Sequence, residues 1–245
     1  MAVGRFEIEY ISSRVIAPGV KHLVFKKTDN AVFQFVPGQF ITFLFDDNSG
    51  KVKRRSYSIA TIGATSAIIE LAISYIKGGI ASEKLFNIVP GTRFNVIGPA
   101  GRLTLKAEEK IRKLILVGTG TGIAPYRTML PQLKMFLGNS IDQIYVLLGV
   151  QSQKNEIYTE DFREYARSYQ GFYFRVCLSR QQENLESDEF TGYVQDQFNT
   201  LGLDPACDVV YLCGNPNMID NAFMQLTDLG FDTKSVRREK YISSN

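Results

Sequence analysis

The sequence lacks tryptophan and contains one histidine, His22, and three cysteines. Cys177, Cys207 and Cys213 are widely spaced and form no C-x-x-C pair, so the sequence predicts neither a zinc site nor a four-thiolate iron–sulfur cluster, and no metal ligands. A Ser-His-Asp or Cys-His catalytic group would have to use His22, which we expect on the surface of a strand. If the protein performs redox chemistry, an organic cofactor must therefore carry it.

Long apolar runs and strong charge are also missing. No stretch approaches the ~20 apolar residues needed to cross a bilayer, and the first residues lack the basic-then-apolar layout of a signal peptide. The net charge of +3 is small, and no basic stripe with interleaved aromatic residues indicates nucleic-acid binding. An odd number of thiols fits a reducing compartment. We therefore expect a cytoplasmic monomer without a membrane span, whose mild basicity suits an acidic partner.

The 245 residues are enough for two domains. In the first part, segments rich in β-branched and aromatic residues alternate with turn clusters. They predict strands at 6–16, 22–27, 39–45, 54–59, 67–74 and 92–96, and a helix at 81–87. Six such strands indicate a small antiparallel β-barrel over residues 1–107.

The pattern changes near residues 106–110. Beyond them, apolar runs alternate with helical segments, which predicts an α/β domain with a doubly wound parallel sheet over residues 108–245. The expected strands are 111–117, 144–148, 172–178, 209–212 and 235–241, and the expected helices are 124–137, 156–168, 193–198 and 218–229. Pro131 should kink or split the first of these helices.

A glycine-rich segment, G-T-G-T-G-I-A-P at 118–125, follows the strand at 111–117 and opens a helix. Its glycines let the backbone approach a diphosphate, and a helix N-terminus offers free N–H groups. The spacing differs from G-x-G-x-x-G, and a tight strand-to-helix turn would also explain the glycines. The nucleotide interpretation is the better one, and the candidate ligands are Thr119, Gly120, Thr121 and Gly122.

Two segments of the first part are compatible with phosphate binding. In R-S-Y-S, strand alternation places Arg55 and Tyr57 on one face and Ser56 and Ser58 on the other. An arginine can fork onto a phosphate, and a tyrosine can lie flat on a planar ring. In K-G-G-I-A-S at 77–82, glycines lead into a helix with a serine nearby. Each segment alone would also fit a solvated surface.

Five motifs in one order resemble the ferredoxin–NADP reductase superfamily, and its plant-type members in particular. They are R-x-Y-S, G-G-x-x-S, G-P-x-G at 98–101, G-T-G-T-G-x-A-P, and C-G-N-P at 213–216. The resemblance covers nearly the whole chain and implies a FAD-binding barrel followed by an NADP-binding domain, with the flavin held between them. It implies that Arg55 binds the FAD diphosphate, Tyr57 stacks on the isoalloxazine and Ser58 lies near N5. It also implies that the cofactors are bound by Ser56, Tyr75, Gly79, Ile80, Ala81, Ser82, Gly214, Asn215 and Met218.

The C-terminal E-K-Y at 239–241 is similar to the terminal E-x-Y of plant-type reductases. By this resemblance, Ser58, Cys213 and Glu239 line the hydride-transfer site, and Tyr241 covers the flavin face that nicotinamide must reach. From the residues alone, Glu239 is an ordinary charged residue and Cys213 a buried small one. Residues 242–245 continue past the tyrosine, so either they fold away or Tyr241 does not stack as in those relatives.

The choice of nicotinamide cofactor is partly readable. NAD-specific folds commonly place a carboxylate after the second strand of the domain, and no acid follows the strand predicted at 144–148 within residues 149–154. Ser179 and Arg180 follow the next strand and resemble the S-R of NADP-dependent members. Solvated loops could look the same, but the sequence favours NADPH.

The sequence thus predicts a flavoenzyme that transfers hydride between NADPH and FAD. It would pass single electrons to or from a separate iron–sulfur protein or flavodoxin, as a ferredoxin–NADP reductase does. Three alternatives remain open: the reductase component of an oxygenase, an NAD(P)H:flavin reductase, and a non-catalytic FAD/NADP-binding redox sensor. No residue identifies the electron acceptor or the physiological direction.

Overall fold

The computed structural model describes residues 3–46, 50–106 and 110–241. The chain divides into two compact units. The first contains the described residues up to Thr104 together with Ala124–Met129, and the second contains the rest of the described chain. The predicted boundary between residues 107 and 108 lies outside the described residues.

The first unit contains the predicted six-stranded antiparallel sheet, in the order β5-β4-β8-β1-β2-β7. A two-stranded ribbon of β3 and β6 accompanies it; the sequence did not predict this ribbon, whose strands have only two residues each. In chain order the elements are β1 (Gly4–Ala17), β2 (Val20–Lys27), β3 (Phe33–Gln34), β4 (Phe40–Asp46), β5 (Val52–Ser58), β6 (Thr65–Ser66), β7 (Ile69–Ser74), α1 (Ile80–Phe86) and β8 (Arg93–Ala100).

Buried and partly exposed residues alternate strictly along β4, so one face of this strand contributes to the core. Ile41, Phe43 and Phe45 are buried, while the residues between them are partly exposed. The Phe43 ring contacts Phe25 and Phe94 edge-on, with ring centroids 5.6 Å and 5.4 Å apart. Each buried large apolar side chain contributes about 2 kcal/mol through removal from water. Aromatic and aliphatic side chains together therefore form the apolar core that stabilises the first unit.

The second unit contains a six-stranded parallel sheet, in the order β12-β11-β10-β9-β13-β14. From β9 the chain moves outward through β10 and β11 and then returns to the other side of β9. The remaining elements of the chain are β9 (Ile111–Thr119), α2 (Ala124–Phe136), β10 (Ile141–Val150), α3 (Thr159–Ser168), β11 (Phe172–Leu178), β12 (Glu189–Thr191), α4 (Phe198–Leu201), β13 (Val209–Gly214), α5 (Pro216–Asp228) and β14 (Val236–Lys240). The predicted doubly wound architecture is confirmed.

Several local details differ from the expectations. The edge strand β12 was missed because it has only three residues. The helix expected at 193–198 is a 3-10 turn at Val194–Gln197 followed by the four residues of α4. Pro131 does not split α2, which is continuous from Ala124 to Phe136. Among the described residues, no helix has both the length and the apolar character that crossing a membrane would require.

His22 is buried, with 4% of its surface exposed, so the expectation of a surface position was wrong. It pairs with Ala72 across β2 and β7, and the diagonal neighbour Glu70 lies on the same face. His22 Nε2 is 3.6 Å from Glu70 Oε1, and Arg127 Nη1 is 2.8 Å from Glu70 Oε2. Arg127 also donates to the carbonyl oxygen of Ala60 at 2.6 Å. The histidine is buried because it belongs to an ionic group within the first unit.

We predict that Arg127→Met lowers the free energy of unfolding by about 3 kcal/mol, because it leaves the Glu70 carboxylate with too few partners in a largely buried place. Urea unfolding of the protein measures this change. The matched control is Arg14→Met at an exposed arginine, which should change stability by less than about 0.5 kcal/mol. Equal effects of the two substitutions would contradict a stabilising role for the Arg127–Glu70 pair.

Candidate functional site

The strand order of the second unit reverses at β9 and β13, which lie side by side. In open α/β sheets, ligands bind outside the carboxyl ends of the strands at such a switch point. The glycine turn at 118–122 ends β9 there, and Gly214 ends β13. Sequence reasoning had selected both segments independently, and the structure brings them together.

The glycines of this turn are required by close backbone contacts. A Cβ on Gly122 would lie 2.3 Å from the carbonyl oxygen of Cys213. A Cβ on Gly214 would lie 2.5 Å from Thr119 Oγ1, and the φ of Gly214 is +120°. Gly120 differs, because its φ is +52° and no atom lies within 4 Å of the place where its Cβ would be. The turn thus combines tight internal packing with an open stretch of backbone at Gly120, which fits the approach of a diphosphate.

The C-G-N-P segment connects β13 to α5. The Asn215 backbone N–H donates to Thr119 Oγ1 at 2.9 Å. The Asn215 side chain caps α5 by accepting from the N–H of Asn217 at 2.8 Å and of Met218 at 3.4 Å. The Met218 side chain packs in the apolar core of this unit. Asn215 and Met218 therefore have structural roles of their own, beside the cofactor contacts that the sequence predicts for them.

Three of the four predicted catalytic residues are near one another, Cys213 on β13, Glu239 on β14 and Tyr241 directly after β14. Cys213 pairs with Glu239 in the parallel register, and the Tyr241 N–H donates to the Gly214 carbonyl at 2.9 Å. Burial, and then the charge of Glu239, raises the pKa of the Cys213 thiol well above its ordinary value, while a hydrogen bond with Tyr241 opposes this. Cys213 is therefore a neutral thiol near pH 7, which is not the state of a nucleophilic cysteine.

The fourth, Ser58, ends β5 in the first unit and is buried. On the same strand, Arg55 lies opposite Phe43 and Tyr57 opposite Ile41, so both follow the core-facing side of β4. Ser56 lies on the other face, where its hydroxyl is 2.8 Å from Thr42 Oγ1.

Tyr57 is held by an edge contact with Phe43, with ring centroids 5.7 Å apart. Burial raises the pKa of Tyr57 to about 12, and the positive charge of Arg55 only partly opposes this. A half-buried guanidinium beside a neutral, fixed phenol is a donor set that fits a diphosphate joined to a planar ring.

The G-G-I-A-S segment forms the start of α1 and is closed by its own side chains. The Ser82 hydroxyl donates to the carbonyl oxygen of Ile76 at 2.7 Å and accepts from its N–H at 3.1 Å. Tyr75 donates to Glu83 Oε1 at 2.5 Å, and its ring leans on Phe86. Ser82 is thus engaged within the loop, and the Gly79 N–H donates to the Ile76 carbonyl at 2.9 Å. The backbone N–H groups of Ile80 and Ala81 are therefore the ones compatible with a phosphate.

Ser179 and Arg180 lie directly after β11, as predicted, and Arg180 is exposed. The Ser179 N–H donates to the Val150 carbonyl at 3.0 Å, and the Arg180 N–H donates to the Gln151 carbonyl at 2.8 Å. The turns after β10 and β11 are therefore joined through their backbones at the carboxyl edge of the sheet. Within the described parts of the chain, no group of three or more His, Cys, Asp and Glu residues is arranged to hold a metal ion.

Sequence reasoning missed the ionic group around Glu70 and a second one around Arg163. The sequence signal for the first was Arg127, which lies two residues beyond the glycine motif. The second gave no signal, because Asp188 and Glu189 are distant in the sequence from Glu156 and Arg163 and meet them only through the folding of the sheet.

Two family models match the chain. The model described as oxidoreductase FAD-binding domain matches residues 7–105, and the model described as oxidoreductase NAD-binding domain matches residues 116–223. Together they cover most of both units.

Similar proteins include electron-transfer reductases of two kinds. The chain is 29% identical to ferredoxin–NADP reductase B of Sorangium cellulosum, over 96% of this chain and 97% of that protein. It is 27% identical to the reductase component of propane 2-monooxygenase of Rhodococcus jostii, over 98% of this chain but 66% of that protein. The structure of a ferredoxin NADP+ reductase from Neisseria gonorrhoeae with bound FAD and NADP has a TM-score of 0.83 at 18% identity, over 97% of this chain and 99% of that one. This last likeness concerns the fold.

We predict that Gly122→Ala destabilises the protein by more than about 3 kcal/mol, because its Cβ would meet backbone atoms that cannot rotate away. Gly120→Ala is the matched variant in the same turn. It meets no atom and should cost only the roughly 1 kcal/mol of a left-handed alanine. Thermal unfolding of both variants measures the difference. Equal destabilisation would show that Gly122 is not packed against β13 as described.

Proposed function

Because the chain belongs to the ferredoxin–NADP reductase superfamily of FAD- and NAD(P)-dependent oxidoreductases, we propose that it carries electrons between NADPH and a separate one-electron protein partner. The observation that carries the proposal is the glycine turn at the switch point of the parallel sheet. That turn offers open backbone at Gly120 and stands beside the strand ends with Cys213 and Glu239. This arrangement supports dinucleotide binding at the same end of the sheet as a titratable acid.

In the first unit, we assign FAD binding to β5 and the start of α1. When bound, FAD supplies the conversion between a two-electron hydride donor and single-electron steps. Arg55 holds the diphosphate through charge-assisted hydrogen bonds, and the Tyr57 ring orients the planar part of the cofactor. The buried Ser58 hydroxyl serves as a hydrogen-bonding group near the reacting ring.

In the second unit, we assign the NADP diphosphate to the glycine turn and the 2′-phosphate to Ser179 and Arg180. A serine hydroxyl and an exposed guanidinium suit a phosphate dianion. The residues directly after β10, from Gln151 to Lys154, include no carboxylate that would bind a free ribose hydroxyl or repel the phosphate. NADPH is therefore the favoured dinucleotide.

We assign proton handling to Glu239, which holds or releases a proton beside the neutral Cys213 thiol. Tyr241 follows the end of β14, and its proposed role is to gate the entry of nicotinamide. The residues after it, 242–245, lie outside the described part of the chain. Ser58, Cys213, Glu239 and Tyr241 remain the proposed residues of hydride transfer.

The exposed basic residues at β5 support the proposal that the protein partner is acidic. Lys53 and Arg54 on this strand, and Lys51 just before it, are exposed and precede Arg55. The strand is an edge of its sheet. A positive edge of this kind accelerates the encounter with a negatively charged protein. An acidic iron–sulfur protein or flavodoxin fits this charge. The similarity to a monooxygenase reductase component supports a second candidate, in which the partner is the oxygenase.

We predict that Arg55→Ala weakens FAD binding roughly thirtyfold, because it removes charge-assisted bonds of about 2 kcal/mol to the diphosphate. Fluorescence titration of the apoprotein with FAD measures the dissociation constant. Arg54→Ala, one residue away on the opposite face of β5, is the matched control and should retain FAD like the unchanged protein. Unchanged FAD affinity in the Arg55 variant would remove this residue from the site.

An acceptor screen tests the function itself. With NADPH as donor, we expect the reduction of acidic ferredoxins or flavodoxins to slow as ionic strength rises and to slow further in Arg54→Ala. Reduction of a small neutral quinone should be unaffected by either change. If only free flavin is reduced, the protein is a flavin reductase. If no acceptor is reduced, the electron-transfer proposal is wrong.

A further inference from the structure

A partly buried ionic cluster lies in the second unit with one cation and three carboxylates. Arg163 Nη1 is 3.2 Å from Glu156 Oε2, Arg163 Nε is 2.8 Å from Asp188 Oδ2, and Arg163 Nη2 is 3.6 Å from Glu189 Oε1. The side chain of Glu156 is 11% exposed and that of Glu189 is 1% exposed. Arg163 and Asp188 are more exposed, at 24% and 22%, but negative charge in excess of its partners is costly beside carboxylates as little exposed as Glu156 and Glu189. The mechanism described above does not use this cluster.

The cluster fastens together the two segments that follow β10 and β11. Gln153 Nε2, after β10, donates to Glu189 Oε2 at 2.7 Å and to the Asn184 carbonyl at 2.9 Å. The Gln153 N–H donates to Gln181 Oε1 at 3.1 Å. The same Glu189 Oε2 accepts from the Glu186 N–H at 2.8 Å. Gln153 thus ties residues 181–189 to the turn after β10, and Glu189 is the acidic residue at which this contact meets the ionic cluster.

We propose that Glu156 and Glu189, bridged by Arg163, are positioning residues for the turn that carries Ser179 and Arg180, and that they set the affinity for a dinucleotide with a 2′-phosphate. The inference rests on the proposed function, which assigns that phosphate to Ser179 and Arg180. The two carboxylates act through the turn and do not touch the dinucleotide. Glu156 and Glu189 thereby contribute to the choice of cofactor by holding the turn that carries the binding residues.

A proton on Glu156 completes the cluster. Its Oε1 atom is buried and has no hydrogen-bond partner among the described residues. Burial, followed by the neighbouring Glu189 carboxyl, raises the pKa of Glu156 to about 7. Burial acts on Glu189 in the same direction, but its hydrogen bonds lower the pKa of that carboxyl below its ordinary value. The charged groups facing Glu156 are Arg163, Glu189 and Asp188, so Glu156 is the member that holds the proton.

The direction of the pH effect follows from this assignment. The folded protein keeps a proton on Glu156 up to about pH 7, whereas an unfolded chain releases it near 4.5. The stability contributed by the protonated cluster is therefore full at low pH and is lost as the pH rises from 4.5 through about 7. Above that range, the ionised Glu156 repels Glu189 and loosens the turn.

The test compares the holoenzyme with its Glu156→Gln variant, since glutamine keeps the shape of the protonated acid without its charge. The dissociation constants of NADP+ and NAD+ are measured by calorimetry at about pH 6 and about pH 8, on either side of the pKa. We expect equal NADP+ affinity at the lower pH and roughly tenfold tighter binding by the variant at the higher pH. Binding of NAD+, which lacks the 2′-phosphate, should differ far less between the two proteins.

Glu164→Gln is the matched control, because Glu164 is the exposed neighbour of Arg163 on α3. It should follow the unchanged protein at both pH values, which removes the titration of the phosphate itself from the comparison. The same pH dependence in the Glu156 variant as in the control would overturn the inference, and so would equal changes for NADP+ and NAD+. Failure of every protein to bind NADP+ at either pH would instead refute the assignment of NADP to this chain.

Discussion

The contact between the glycine turn and the end of β13 is the constraint on which the nucleotide-binding unit depends. Two strands that are distant in sequence end side by side, and only backbone separates the turn from its neighbour at Gly122 and Cys213. Any side chain at Gly122 would push the strands apart. The same contact sets Asn215, and hence the start of α5, against Thr119. Packing therefore requires the same glycines that are proposed to bind the cofactor.

The ionic groups of the two units differ in the ratio of positive to negative side chains. In the first, Arg127 and His22 face a single carboxylate, Glu70, and hydrogen bonds from both lower its pKa against the effect of burial. In the second, Arg163 faces three carboxylates and cannot balance them all. The first group is suited to a purely structural role, because the Glu70 carboxylate is paired with the Arg127 guanidinium. The second responds to protons near neutral pH, because burial and the neighbouring Glu189 carboxyl raise the pKa of Glu156 to about 7.

The architecture could be predicted because its signals are local. In β4, alternating apolar and polar residues indicate a strand with one buried face, and in β9 a continuous apolar run indicates a strand that is buried on both faces. The glycine motif marks the switch point of the parallel sheet. The ribbon of β3 and β6 and the strand β12 were missed because strands of two or three residues are too short to show a periodic pattern of apolar residues. Burial of His22 was missed because it depends on Glu70 and Arg127, which come from distant parts of the chain. The Arg163 cluster was missed because two of its carboxylates, Asp188 and Glu189, come from a distant segment of the chain.

For individual site residues, too, the sequence identified the segment but not the contacts that distant residues make with it. Gly122 and Gly214 were selected as cofactor ligands, and the structure adds that they are needed for packing. Ser82 and Met218 were selected from the family pattern, and their side chains are engaged within the protein. A motif identifies the segment that matters, but which atoms of that segment remain available depends on contacts that only the fold creates.

The central claim is that this chain accepts hydride from NADPH through bound FAD. Anaerobic stopped-flow mixing with NADPH, unlabelled and deuterated at the transferred position, tests this most directly. The account predicts that the visible flavin absorbance is lost in a single turnover, and that the deuterated donor slows this loss. A purified protein that holds no flavin, or a bound flavin that NADPH leaves oxidised, would contradict it.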